Sequence, residues 1–294
     1  LTSAFSAGDA WPAPAKLNLT LRVLGRRPDG YHQLQTVFQF IERADLLHFE
    51  VRADGRVRRV SETPGVPADA DLVVRAARLL KEHSGCPLGA DIRVDKRLPI
   101  GGGLGGGSSD AATTLVALDR LWGLGLSEDD LMRLGLSLGA DVPVFVRGLA
   151  AWGEGVGERL SPIELPEPWY LVLVPACHVS TADVFSDARL TRNSPPIRIA
   201  DFLGGDDRND CQAVARTRYL PVAQALDWLD RMGRARLTGT GACVFAAFPT
   251  LDAASVAYDE ARPRFDCFVA RGINRSPLLV RAQSPRFTGA SPSG

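Results

Sequence analysis

Pro99-Ile100-Gly101-Gly102-Gly103-Leu104-Gly105-Gly106-Gly107-Ser108-Ser109-Asp110 is the stretch on which the reading of this chain turns. Six of the seven residues from 101 to 107 are glycine. Ile92 and Val94 before the stretch alternate as in a strand over 90–96, and Ala111, Leu115, Leu118 and Trp122 behind it fall at helical spacing. Glycines between a strand and a helix let backbone N–H groups turn toward a ligand without obstruction by Cβ, and the helix start adds its positive end. A flexible hinge would be a costly use of so many, because each glycine sacrifices backbone entropy. The loop is therefore predicted to cradle phosphate, with Ser-Ser-Asp opening the helix and its hydroxyls both capping that helix and reaching a phosphate or its magnesium.

Three known phosphate motifs fit poorly. Gly101-x-Gly103-x-x-Gly106 matches the dinucleotide fingerprint, but nearly a hundred residues precede it and the strand ending in an acid about 20 residues on is missing. Gly102-x-x-x-x-Gly107 starts like a Walker loop, yet Ser108 and Ser109 stand where Lys-Ser/Thr is required. The protein-kinase glycine loop fails because no H-R-D or D-F-G segment follows.

Working outward, the chain of 294 residues is about two domains long on the usual prior of roughly 100–200 residues each. A composition of 45% hydrophobic and 23% charged residues excludes a disordered or collagen-like chain. Its 34 basic residues balance 34 acidic ones, so no global field gathers nucleic acid or an anionic membrane, and any anion must be held locally. The five scattered cysteines contain no C-x-x-C pair, and the four histidines no H-x-x-x-H spacing, which predicts a reducing compartment and no protein-built metal site. With no signal-like or membrane-length apolar run, a cytoplasmic location is expected. Only three of the basic residues are lysines: Lys16, Lys81 and Lys96.

Upstream, Leu17, Leu19, Leu21 and Val23 alternate, predicting a half-buried strand with one apolar face. After the turn Arg27-Pro28-Asp29-Gly30, strands are predicted over 31–40 and 46–51, and a helix over 72–83. Downstream, Ser127 caps a predicted helix over 127–138 that runs into Gly139-Ala140-Asp141-Val142-Pro143. The second half reads as a strand at 169–174, a loop-rich region to 209, a helix at 222–232, the turn Thr238-Gly239-Thr240-Gly241, a strand at 242–248, a helix at 252–261 and a strand at 266–271. A Pro-containing stretch at 161–168 marks the approximate domain boundary.

The glycine stretch, together with Pro14-Ala15-Lys16-Leu17-Asn18-Leu19 upstream and Thr238-Gly239-Thr240-Gly241-Ala242-Cys243 downstream, resembles the three motifs of the GHMP small-molecule kinases. The resemblance implies an α/β (α+β) two-domain fold with the active site in the cleft. An N-terminal domain of the ribosomal-protein-S5-domain-2 type would span 1–160, a ferredoxin-like C-terminal domain 161–285, and a tail 286–294. Arg27-Pro28-Asp29-Gly30-Tyr31-His32-Gln33-Leu34-Gln35 and Leu138-Gly139-Ala140-Asp141-Val142-Pro143-Val144-Phe145 point within the family to members acting on a cytidine-diphosphate-linked polyol.

By that resemblance ATP lies on Pro99, Ile100, Gly101, Gly102, Gly103, Leu104, Gly105, Gly106, Gly107, Ser108 and Ser109, with Mg²⁺ bound mainly through its phosphates. Lys96 and residues 64–71 line the adenine side, where Asp71 replaces an Asn common in the family. Asp141 is the catalytic base, and Lys16 keeps it ionised while stabilising the attacking oxygen. Tyr31, His32 and Phe185 would hold the cytosine, and Asn18 and Thr181 the polyol end; Trp122 and Cys243 are packing residues. Small-molecule substrates are the expected partners, with no nucleic acid and no membrane, and the protein acting as a monomer or weak homodimer. Two other readings stay open: a GHMP enzyme acting on a mevalonate-like acid, and a nucleotide-binding regulator without catalysis.

Overall fold

The first strand, β1 (Trp11–Arg26), folds back through the Arg27–Tyr31 turn onto β2 (His32–Arg52), and this long antiparallel pair is the spine of the molecule. The computed structural model of the chain describes residues 10–62 and 66–284. The two strands predicted over 31–40 and 46–51 are one, because Ile41 to Leu47 continue the ladder to β1 through a register shift rather than a turn.

β1 also departs from its predicted half-burial. Leu17 and Val23 are fully buried, but so are the polar residues between them, with Asn18 at 4% exposure and Thr20 and Arg22 at 1% or less. The polar side is covered by the chain near residue 208, whose Arg208 carbonyl accepts from the Leu21 N–H and the Thr20 hydroxyl, and by Asp206, which pairs with Arg22. Buried polar groups persist only when so partnered.

Around this spine β4 (Gly89–Asp95) and β5 (Ala151–Gly155) pair with β2, β3 (Val57–Arg59) runs parallel to β4, and β6 (Arg159–Pro162) closes a hairpin with β5. α1 (Leu72–Ser84), α2 (Gly106–Trp122), α3 (Glu128–Leu138) and α4 (Val142–Arg147) build the N-terminal half, where α1, α2 and α4 bury Leu80, Leu115, Leu118 and Phe145 with Phe40 and Ile92 of the strands. In the C-terminal half β7 (Trp169–Val174), β8 (Arg236–Leu237), β9 (Val244–Phe248) and β10 (Asp266–Ile273) form an antiparallel sheet in the order β10-β7-β9-β8. Its core includes α7 (Gln212–Arg218), α8 (Leu220–Leu229) and α9 (Leu251–Ala261).

Short helices α5 (Thr181–Ser186) and α6 (Ile199–Leu203) punctuate the region read as loop. β10 reaches β2 through Gly272↔Ile41 and Ile273↔Phe40, which joins the two halves into one sheet. The last helix, α10 (Pro277–Gln283), returns to the N-terminal half, with Leu278 in its core. No helix among the described residues is long and apolar enough to cross a membrane.

Candidate active site

Between the halves lies a cleft of about 1040 Å³ lined by β1, the glycine stretch, α5 and the 239–241 turn. All the expected site residues line it except Ser109. Ser109 is fully buried inside α2, because the helix starts two residues earlier than the serines suggested: Gly105, at φ +75°, is its N-cap and Gly106 its first residue. The serines therefore do not cap it. The helix start carries bare backbone N–H groups, while Ser108 faces the cleft near Gly139.

The three sequence motifs meet on the glycine stretch. The Gly103 carbonyl accepts from Lys16 Nζ at 3.0 Å and from the Thr238 hydroxyl at 3.2 Å, and the same hydroxyl accepts from the Asn18 N–H at 3.1 Å. Gly102 O accepts from the Cys243 N–H, and Leu104 O from the Lys16 N–H, each at 3.0 Å. Gly103 sits at φ +79°, and a Cβ there would lie 2.2 Å from the Thr238 carbonyl oxygen. At Gly105 a Cβ would meet the Phe145 ring at 2.7 Å and the Lys16 stem at 3.1 Å. Glycine is thus demanded by close approach as well as by backbone conformation.

Lys16 is buried in mid-strand, not at a solvated edge, and its ammonium is fully engaged: Asn18 Oδ1, Gly103 O and, at 3.3 Å, Asp141 Oδ2. A buried ammonium requires such partners. Asn18 donates one amide N–H to the Thr36 hydroxyl at 2.8 Å, which turns its Oδ1 to Lys16. Asp141, with its side chain 34% exposed, precedes α4 and makes no capping bond to it, which leaves the carboxylate turned to Lys16 and the cleft.

Lys96 lies behind the helix start, where its Nζ donates to Asp45 and, at 2.9 Å, to Asp110. A Cβ on Gly106 would come within 3.5 Å of that ammonium. Burial, reinforced by the Asp45 carboxylate and opposed by Lys96, pushes the Asp110 carboxyl up to about 8. Asp45 carried no sequence signal, and Asp110, quoted only as part of the helix opening, gave no sign of this partner; the fold brings them together. Of the segment expected at the adenine side, residues 63–65 lie outside the described residues. Asp71 caps α1 by accepting from the Val73 N–H at 2.9 Å and pairs with Arg59, so the acid in place of Asn has its own cationic partner.

At the other end of the cleft His32 stacks on Phe185, ring centroids 4.8 Å apart and 23° from parallel. No base fits between rings that close, so a cytosine sandwiched between these two is excluded; Tyr31, 62% exposed, offers the remaining aromatic face. Burial, then the charges of Arg192 and Arg26, lowers the His32 pKa, which favours the neutral imidazole. Thr181 opens α5 and shares a 2.9 Å hydrogen bond with the Thr240 hydroxyl. His178 and Arg192 also line the cleft and were not expected there, since neither falls in a motif. Among the described residues no group of three or more His, Cys, Asp or Glu side chains could hold a metal ion.

A backbone cradle at a helix start and a lysine–carboxylate pair one loop away are what phosphoryl transfer from a nucleotide to a small alcohol needs, and they make this a small-molecule kinase cleft. Family models agree: the one described as "GHMP kinases N terminal domain" matches residues 71–149, and "GHMP kinases C terminal" matches residues 190–266. The 4-diphosphocytidyl-2-C-methyl-D-erythritol kinase of Pseudomonas aeruginosa is 59% identical over 267 residues, covering 91% of this chain and 95% of that one. A crystal structure of 4-(cytidine 5'-diphospho)-2C-methyl-D-erythritol kinase superposes with a TM-score of 0.77 at 32% identity, over 90% of this chain and 98% of that one. A mevalonate kinase structure, 15% identical with a TM-score of 0.68 over 90% of this chain and 99% of its own, shares the fold. The chain belongs to the GHMP kinases and, within them, to the 4-diphosphocytidyl-2-C-methyl-D-erythritol kinase family.

Proposed function

We propose that this protein uses ATP to phosphorylate the 2-hydroxyl of 4-diphosphocytidyl-2-C-methyl-D-erythritol, giving the 2-phosphate and ADP, a step of non-mevalonate isoprenoid precursor synthesis. The observation that carries the reading is the Lys16–Asp141 pair, 3.3 Å apart, hydrogen-bonded onto the glycine stretch in a cleft whose far end carries an aromatic pocket. ATP enters as its magnesium complex, the ion held mainly by phosphate oxygens and water, as suits a hard cation that dehydrates reluctantly.

Each residue then has a physical task. Backbone N–H groups at the start of α2 receive the nucleotide phosphates, and no glycine there presents a Cβ to push them away. As the acceptor oxygen attacks the γ-phosphorus and the bond to the ADP oxygen breaks, Asp141 takes the hydroxyl proton. A carboxylate is a weak base, so it acts as the proton leaves in the transition state, an effect of about 10²–10⁴-fold. Lys16 offsets negative charge on the attacking oxygen as a compact ammonium, a point charge that a planar guanidinium fork does not reproduce. At the far end, neutral His32 can accept a hydrogen bond from the cytosine amino group, with Phe185 behind it and Tyr31 free to close over the base.

ADP release measured over a panel of alcohols tests the reading. Turnover with the cytidylyl alcohol, and none with mevalonate or homoserine, is expected. Phosphorylation of mevalonate in preference to it would move the protein to another branch of the family, and ATP binding without turnover of any alcohol would make it a regulator.

A further inference from the structure

Arg192 lies outside every motif, yet it lines the acceptor end of the cleft. Its Nη2 donates to the carbonyls of Phe185 and Asp187, both at 2.8 Å, and its Nη1 to that of Leu190 at 3.2 Å. The nearby Asp187 carboxylate does not take the guanidinium, being occupied by Arg189 at 2.7 Å and Arg218 at 3.0 Å. Among the described residues no carboxylate forms an ion pair with Arg192. Its hydrogen bonds go instead to backbone.

That backbone is the end of α5, a helix of six residues. Helices so short are not held by their own ladder and need outside contacts. A cation on the last carbonyls is the favourable one, since those groups carry the negative end of the helix. Phe185 is the penultimate residue of α5, and its ring is the one stacked on His32. Burial lowers the His32 pKa first, and the charges of Arg192 and of Arg26 at the end of β1 act in the same direction.

We propose that Arg192 is a positioning residue for cytosine recognition: by tying the carbonyls of Phe185, Asp187 and Leu190 to one guanidinium it fixes the Phe185 ring against His32. The proposal rests on the reading of the acceptor as a cytidine diphosphate derivative. A neutral imidazole has one acceptor nitrogen, whereas the protonated ring only donates and would oppose the cytosine amino group.

The test uses the full chain and two probes, cytidine 5′-diphosphate and ADP, with binding measured by calorimetry and the His32 titration followed by NMR of its Cε1–H. Arg192→Met is expected to weaken cytidine diphosphate roughly tenfold, the scale of one misplaced stacking partner. ADP binding should stay within about twofold, and the His32 pKa should rise. Arg192→Lys keeps the charge but replaces the planar fork by a single ammonium, so it should leave the His32 titration in place and recover part of the affinity.

Equal losses for both probes would mark Arg192 as merely structural and overturn the proposal. Unchanged cytidine diphosphate affinity in Arg192→Met overturns it while leaving the acceptor reading intact. A wild-type protein that binds ADP but not cytidine diphosphate overturns both. Should Arg192→Met not fold, Arg192→Lys decides, because undiminished cytidine diphosphate affinity in that variant refutes the tie.

Discussion

Replacing Gly103 by alanine perturbs the point where the three motifs converge. Gly103 holds φ +79°, a conformation that costs an L-residue about 1–2 kcal/mol. The new Cβ would stand 2.2 Å from the Thr238 carbonyl oxygen and 3.0 Å from that of Gly241. Both are backbone atoms, so relief to an ordinary carbon–oxygen contact of about 3.3 Å requires the loop to move by about 1 Å. Such a shift withdraws the Gly103 carbonyl from Lys16 Nζ and from the Thr238 hydroxyl. A charged hydrogen bond is worth roughly 1.5–3 kcal/mol and a neutral one roughly 0.5–1.5. With the conformational term the loss comes to roughly 3–6 kcal/mol, or a melting temperature lower by on the order of 10 °C.

Because Lys16 loses a fixed acceptor and the cradle is displaced, turnover should fall by about 10²-fold, the usual consequence of an ångström of misplacement. Thermal unfolding and ADP release on the same preparation read the two effects. Gly107→Ala is the stability control: its Cβ would meet only Leu72 Cδ1, at an ordinary 3.4 Å, so melting should stay within about 2 °C of wild type. A Gly103→Ala protein that melts and turns over as wild type would refute the argument that close backbone approach, rather than flexibility, explains these glycines.

Three further outcomes are expected. Asp141→Asn and Lys16→Met should each remain folded and lose two or more orders of magnitude in turnover, roughly the range of general acid–base and electrostatic terms, with ATP affinity little changed in Asp141→Asn; near-normal turnover removes the residue from the mechanism. Asp110 has its folded-state pKa raised to about 8, so its contribution to stability is complete below the ordinary carboxylate range and is lost as pH rises through about 8, at up to about 1.4 kcal/mol per pH unit. Urea unfolding of Asp110→Asn should therefore show a shallower decline than wild type between pH 5 and pH 8, at about one-unit steps, and parallel curves would contradict the assignment. Phe185→Ala should raise the acceptor KM by roughly tenfold, the scale of a lost stacking face, while the KM for ATP stays put; an equal rise in both would point to general damage.

Local signals carried much of the architecture. Ser127 capping α3, Gly85 ending α1 in the left-handed region and the alternation at 169–174 each marked an element where it lies. Such features depend on near neighbours in the chain. The misreadings came from contacts across it. Leu17 to Val23 looked like a strand with one wet face, but the chain near Arg208 covers that face. Ser108 and Ser109 looked like caps, because serine favours that position, whereas Gly105 takes it in a left-handed conformation that serine does not share.

The site was legible to the extent that it is carried by motifs. Lys16, the glycine stretch and Asp141 stand in three separate segments whose joint presence already implied one cleft. Asp45, buried beside Lys96, could not be read, since any of the 34 acidic residues could have filled its place until the sheet put it there, and Asp110, though inside the quoted stretch, gave no sign of turning inward to Lys96. Arg192 was hidden for a related reason: it binds carbonyls, and carbonyl partners leave no trace in residue type.

The most direct measurement follows the phosphate itself. Incubation of the protein with magnesium ATP and 4-diphosphocytidyl-2-C-methyl-D-erythritol, monitored by proton-coupled ³¹P NMR, should show the γ-phosphorus signal replaced by a phosphomonoester not split by a proton on its own carbon, as the hydrogen-free 2-carbon requires, in step with ADP and absent with Asp141→Asn. A monoester on another hydroxyl, or ADP accompanied only by inorganic phosphate, would contradict the account.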